Sequence, residues 1–227
     1  MRRIALDTET TGLNPKDGHR IVEIGCVELD GNIPTGNEWH SYVNPDRAMP
    51  EAAFAVHGLS EEFLQKEPKF KDIAEGFLSF IKGGELVIHN AKFDIGFLNS
   101  ELKMANMPLI EIQKTIDTVH LAREKIPGAA ASLDALCKRF EIDLSLREKH
   151  GALLDAKLLA EVYLQLTGGR QSSLSLEQEH TDKSKKVINK EEPKLDNLTF
   201  IEATLTEEEK EEHTEMINKI NSSLWLK

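Results

Sequence analysis

Cysteine is nearly missing from this 227-residue chain, which has two, Cys26 and Cys137, in apolar sequence 111 positions apart. That spacing excludes a metal knuckle or a disulfide framework and points to a reducing, cytoplasmic setting. Long hydrophobic runs are missing too. No stretch approaches the 18 or so apolar residues of a membrane span, and Asp7 interrupts the opening residues too early for a signal-peptide core. A soluble protein with no membrane partner is expected, and glycine and proline, at 14 and 8 residues, are not in excess.

Positive charge is also short, with 28 basic against 39 acidic residues and a net charge of −11. This balance excludes a protein that holds nucleic acid mainly by counterion release. It does not exclude a nucleic-acid substrate. Residues 1–170 carry 20 basic and 26 acidic side chains, net −6, and four of those acids form the constellation described next. Two divalent cations would neutralise them, leaving weak intrinsic affinity for DNA and dependence on a partner for retention. With 40% apolar residues, the chain can bury the core of one ordinary domain and carry an appendage.

What is present is a set of acids in unusual positions: Asp7-Thr-Glu9, Asp94 and Asp155, with His150 five residues before the last. Side chains two apart in a strand share a face at roughly 7 Å. Asp7 and Glu9 follow the apolar run Ile4-Ala5-Leu6 and would project together from a strand's carboxyl end. From residue 151 the pattern is helical, and Leu158, Leu159, Val162 and Leu166 surround Asp155 on the apolar stripe. Phe97, Leu98, Leu102 and Ala105 do the same around Asp94. An acid near a helix start often serves only as a cap or dipole partner. Two acids on apolar faces are different, because a buried charge needs a counter-charge, and a bound cation supplies one.

Hard carboxylate oxygens favour Mg²⁺ or Mn²⁺ over zinc. Two such ions can hold the attacking water and the leaving oxygen of a phosphodiester in line. That chemistry needs a base, and His150 is the best placed because imidazole titrates near neutral pH. His57 and His89 compete for this role but lack a suitably spaced acid on a following helix. His19, His40, His120, His180 and His213 have no acidic partner at ligand spacing and read as solvated or structural.

The element pattern is α/β. Strands are expected at Arg3–Asp7, Ile21–Leu29, Trp39–Val43, Glu85–His89 and Thr115–Asp117, and helices at Phe70–Lys82, Phe93–Asn106, Thr118–Lys125, Ser132–Phe140 and Gly151–Leu166. Strands in immediate succession near the start imply antiparallel pairing there. After Thr167-Gly168-Gly169 the sequence turns polar and loses its periodicity, so residues 169–204 read as a flexible linker. Thr206-Glu207-Glu208-Glu209 is a capping-box pattern, and Met216, Ile217, Ile220 and Leu224 recur at helical spacing before Trp225. A lone amphipathic helix cannot bury its own stripe, so residues 205–227 read as a protein-binding segment.

Three stretches carry a family resemblance: Asp7-Thr-Glu9-Thr-Thr-Gly12, His89-Asn90-Ala-Lys-Phe93-Asp94 and His150-Gly-Ala-Leu-Leu-Asp155-Ala. They resemble the three motifs of the DEDDh 3′→5′ exonucleases, over residues 1–168. The resemblance implies a ribonuclease-H-like exonuclease fold with a five-stranded mixed sheet flanked by helices. It implies Asp7, Glu9, Asp94 and Asp155 as ligands of two divalent cations and His150 as general base. It also implies that Thr10 and His57, with Asp7, Glu9 and Asp155, contact the terminal nucleotide.

Phe54-Ala-Val-His57-Gly58 strengthens a likeness to proofreading members that serve a bacterial replicative DNA polymerase. By the same resemblance, Ile217, Ile220, Leu224 and Trp225 would bind the polymerase catalytic subunit. Gln171, Leu174 and Leu176 are similar to glutamine-led peptides that dock on a sliding clamp, although the aromatic end of such peptides is missing here. The alternatives are an RNA-trimming member of the family, or a stabiliser of a polymerase–clamp assembly with an idle site.

Overall fold

Alternation at the start of the chain produces the central strand of the molecule. In β1 (Arg2–Thr10), Ile4 and Leu6 point to one side and Ala5 to the other, and all three are fully buried. A strand apolar on both faces must be sandwiched between layers. β1 pairs antiparallel with β2 (Ile21–Asp30) and parallel with β4 (Glu85–Ile88). Beyond these lie β3 (Ile33–Tyr42) and β5 (Thr115–Asp117), in the order β3-β2-β1-β4-β5. The computed structural model describes residues 1–145, 149–168 and 206–219.

Helices cover both faces. α3 (Phe70–Ile81) and α4 (Ala91–Met104) bring Phe70, Phe77, Phe97 and Leu98 onto the side of Ile4 and Leu6. On the side of Ala5, α5 (Thr118–Lys125), α6 (Leu133–Arg139) and α7 (Ala152–Leu166) supply Ala122, Leu136, Leu159 and Val162. The carboxyl ends of the parallel strands β1, β4 and β5 are thus overlooked by helices from both layers. In open α/β sheets that is where ligands bind.

Differences from the expected elements have local causes. β1 continues three residues past Asp7 because β2 keeps pairing with it, through Glu9 opposite Glu23 and Thr10 opposite Ile21. β3 begins at Ile33 rather than Trp39. Its first six residues are exposed on the sheet edge, so no apolar alternation marks them. Two short helices, α1 (Glu51–His57) and α2 (Glu61–Leu64), precede α3. Phe54 and Val56 of α1 are 42% and 47% exposed, so this helix has no buried stripe for a periodicity to reveal.

The chain divides into two units, Met1–Ser175 and Leu176–Lys227, each taken by itself. In the second, α8 (Glu207–Lys219) follows Thr206, whose carbonyl accepts from the Lys210 amide at 3.2 Å. Ile217 lies within α8. The expected linker 169–204, the clamp residues Gln171, Leu174 and Leu176, and Ile220, Leu224 and Trp225 lie outside the described residues. No helix among the described residues is long and apolar enough to cross a membrane.

Candidate active site

The strand alternation that builds the core also sorts the acids. Asp7 and Glu9 continue the Ala5 face of β1, which α7 covers, while Thr8 continues the Leu6 face, toward α4. Glu9 is buried and Asp7 half-buried. On α7, Asp155 lies one turn in from the start and is 3% exposed. The extended Gly151 ahead of the helix sets His150 beside it, with Nδ1 3.2 Å from Asp155 Oδ2. Glu9, His150 and Asp155 each offer a ligand atom, and these atoms all lie within 4.8 Å of one another. Asp7 and His89 line the same shallow depression, of about 300 Å³.

A missing side chain makes this approach possible. Gly25 on β2 is the register partner of Asp7, and a Cβ there would stand 2.3 Å from Leu153 N and 2.4 Å from the Ala152 carbonyl. The first turn of α7 therefore rests directly on the backbone of β2. Any larger residue would lift it, together with Asp155 and His150, off the strand.

Asp94 arrives from the other layer. It sits in the first turn of α4, 3% exposed, and its Oδ1 accepts from Thr8 Oγ1 at 2.7 Å. Burial pushes its carboxyl up to about 7, against the opposing effect of the Thr8 hydroxyl. Asp94 belongs neither to the three-residue cluster nor to the lining of the depression. The structure thus brings Asp7, Glu9, His150 and Asp155 together, and Asp94 approaches from behind β1, held by the residue between the two strand acids.

Two further clefts flank the acids. One, of about 690 Å³, is shared by Thr8 and Glu9 with the depression and has apolar walls from Leu13, Pro50, Ala53 and Phe93. Thr10 and His57 line it. Thr10 Oγ1 donates to the Gly12 carbonyl at 2.6 Å. His57 Nδ1 accepts from Leu59 N at 3.1 Å, which assigns the proton to Nε2, a buried nitrogen with no hydrogen-bond partner among the described residues. Burial holds His57 below the ordinary histidine range, so the ring is neutral. The other cleft, of about 680 Å³, adjoins the depression through His89 and Ser132.

Sequence reasoning missed several contributors. His40 has an acidic partner after all, Glu23 at 2.8 Å, supplied across the β2–β3 pair rather than along the chain. Asn90, which the sequence offers either as an amide for a nucleotide or as a turn former, takes a left-handed conformation (φ 68°) at the start of α4, and its backbone N–H donates to Asp117, so it turns the chain there. The sequence favours His150 over His89 as the base, yet His89 faces the depression, with Nδ1 2.9 Å from Thr118 Oγ1. α1 also reaches the site. The Val56 carbonyl accepts from the His150 amide at 3.3 Å, and Lys149 Nζ lies 5.3 Å from the centre of the Phe54 ring.

A mixed five-stranded sheet with acids gathered at the carboxyl end of its central strand defines a nuclease of the ribonuclease-H-like exonuclease class. A family model described as "Exonuclease" matches residues 4–163. The chain belongs to that family, and DNA polymerase III epsilon subunits are among its relatives. It is 50% identical over 234 residues to DNA polymerase III subunit epsilon of Rickettsia prowazekii (strain Madrid E), covering 97% of both chains. To the same subunit of Escherichia coli K12 it is 49% identical over 178 residues, covering 75% of this chain and 73% of that one.

Among solved structures, exonuclease X in complex with 5′ overhanging duplex DNA is 30% identical, with a TM-score of 0.57 over 73% of this chain and 90% of that one. The nuclease domain of 3′hExo, a DEDDh family member bound to rAMP, shares the fold with a TM-score of 0.64 at 17% identity, over 73% and 91% of the two chains. Membership of the family implies divalent metal ions. The residues present fit them, since buried carboxylates of Glu9 and Asp155 need cationic partners and oxygen donors suit hard ions.

Proposed function

We propose that the chain is the 3′→5′ proofreading exonuclease of a bacterial replicative DNA polymerase, removing mispaired 3′-terminal nucleotides in the cytoplasm by two-metal hydrolysis. The observation that carries the chemistry is the convergence of Glu9, His150 and Asp155 within 4.8 Å beside a cleft of nucleotide size. The likeness to epsilon subunits over 97% of both chains supports the polymerase setting.

In this reading Asp7, Glu9, Asp94 and Asp155 would hold two Mg²⁺ or Mn²⁺ ions, which when bound would supply charge neutralisation at the phosphodiester and its leaving oxygen and a more acidic attacking water. The terminal nucleoside enters the apolar cleft, where Thr10 and the unpartnered Nε2–H of His57 offer polar contacts to it. With Nδ1 donating to Asp155, the His150 ring carries its lone pair on Nε2, the nitrogen that takes the proton of the attacking water. Oxygen from water bonds to phosphorus and the bond to the upstream 3′ oxygen breaks, releasing a nucleoside 5′-monophosphate and a strand shorter by one.

In this reading residues 1–168 would be the exonuclease domain, 169–204 the linker and 205–227 the polymerase-binding segment. Ile217, Ile220, Leu224 and Trp225 would make the polymerase contact, and Gln171, Leu174 and Leu176 would reach a sliding clamp.

Replacing Asp7 and Glu9 together by Ala should abolish Mg²⁺-dependent degradation of single-stranded DNA while the circular dichroism spectrum stays native. Persistent activity would sink the assignment. Matched DNA and RNA oligonucleotides then separate proofreading from RNA trimming, and deletion of residues 205–227 should remove polymerase binding without removing nuclease activity.

A further inference from the structure

The three depressions form a row. The apolar cleft shares Thr8 and Glu9 with the acid-lined depression, which shares His89 and Ser132 with the third, whereas the first and third have no lining residue in common. The acids lie in the middle. We propose that the third cleft holds the phosphodiester backbone of the substrate strand immediately upstream of the scissile bond, gripped by His120 and Arg123. This rests on the exonuclease reading. With the terminal nucleoside in the first cleft and the scissile phosphate at the acids, the remaining strand leaves on the opposite side.

The lining has the chemistry of an anion site. Arg123 is a permanent cation with a planar donor fork, His120 and Asn90 bring further nitrogen donors, and Ser132 brings a hydroxyl. The acid in this lining, Asp117, is already committed. Its oxygens accept from the amides of Asn90 at 3.3 Å, Ala91 at 3.0 Å and Val119 at 2.9 Å, at the starts of α4 and α5. Both His120 and Arg123 are exposed on α5, one helical turn apart, so their side chains share a face. A chain with net charge −11 cannot rely on a diffuse positive field to hold a polyanion, so a few placed cations must act locally. Neither residue belongs to the acid cluster or the nucleoside cleft.

The test uses the full-length chain with Arg123→Ala, His120→Ala and, as a control on the same helical turn but outside the lining, Lys125→Ala. Two substrates are compared: a single-stranded oligothymidylate, and the p-nitrophenyl ester of thymidine 5′-monophosphate, which has a scissile phosphodiester and no upstream phosphate. Arg123→Ala should raise KM for the oligonucleotide about five- to tenfold, as expected for one charge-assisted phosphate contact, with kcat within twofold. Hydrolysis of the aryl ester should be unchanged, Arg123→Lys should restore part of the loss, and Lys125→Ala should behave as wild type. Removing one phosphate contact should also lower the slope of log(1/KM) against log salt by about 0.7.

An unaltered KM for the oligonucleotide overturns the proposal, and so does an equal loss on both substrates, which would put Arg123 at the scissile group. Failure of the wild-type protein to cleave either substrate would overturn the exonuclease reading itself, a separate result.

Discussion

Gly25 on β2 stands directly opposite Asp7 on β1, and the hydrogen that replaces its side chain is what lets the first turn of α7 reach the sheet. The contact is backbone to backbone, so it cannot yield as a flexible side chain would. Gly25→Ala should displace Asp155 and His150 from Glu9 by a fraction of an ångström to an ångström. A displacement of that size costs on the order of a hundredfold in kcat. Steady-state kinetics on single-stranded DNA, beside a thermal melt to verify folding, check this; a kcat within twofold of wild type would show that α7 is not held by this contact.

Asp94 makes the metal-free protein sensitive to pH. Its carboxyl is raised by burial from 3.8 to about 7, so the native state binds this proton more tightly than the unfolded chain does. The stabilisation this gives is complete below about pH 4 and is lost as pH rises through about 7. Asp94→Asn stays neutral and can still accept from Thr8. Without metal, its melting temperature should come closest to wild type near pH 4 and exceed it by a margin that widens up to pH 8. Mg²⁺ should raise the wild-type value at pH 8 more than that of the variant. A difference that does not change with pH would show that Asp94 is not the group responsible.

His150 stands close enough to Glu9 and Asp155 to be either a ligand or a base. The base reading has a distinctive signature. His150→Ala should lower kcat by about 10²- to 10⁴-fold, the usual contribution of a general base. It should leave the Mg²⁺-dependent rise in melting temperature intact. If that rise disappears along with activity, the ring holds metal and the base must be sought elsewhere, with His89 first in line.

Lys149 over the ring of Phe54 ties the residue preceding His150 to α1. An exposed cation–π contact contributes about 0.5–1 kcal/mol, so Phe54→Ala should lower kcat only a few-fold by loosening His150. Phe54 does not line the nucleoside cleft, so KM should hold, and Phe54→Tyr should restore the rate. A changed KM with normal kcat would instead assign Phe54 to substrate binding.

Much of this was legible in the chain because the relevant signals are local. The alternation through Ile4, Ala5 and Leu6 implied a strand that carries Asp7 and Glu9 on one face, and the three- and four-residue spacing around Asp155 implied a buried acid. Thr118–Lys125 and Thr115–Asp117 have the expected limits, whereas α4, expected at Phe93–Asn106, runs over Ala91–Met104, because Asn90 turns the chain into it two residues earlier. Exposed elements without a stripe, α1 and the first half of β3, left no such trace.

The linear sequence by itself determined which acids fall on apolar faces, where a charge is costly unless a cation meets it. Only the tertiary structure decided how they meet. Gly25 lies 130 positions from Asp155, and nothing in its neighbours marks it as the seat of α7. Asp94 has its hydroxyl partner on a strand 86 residues away, and Glu23 finds His40 only through strand register. The clefts on either side of the acids are likewise made by segments far apart in sequence. Periodicity reports which way a side chain faces; it carries no information about which distant segment comes to face it.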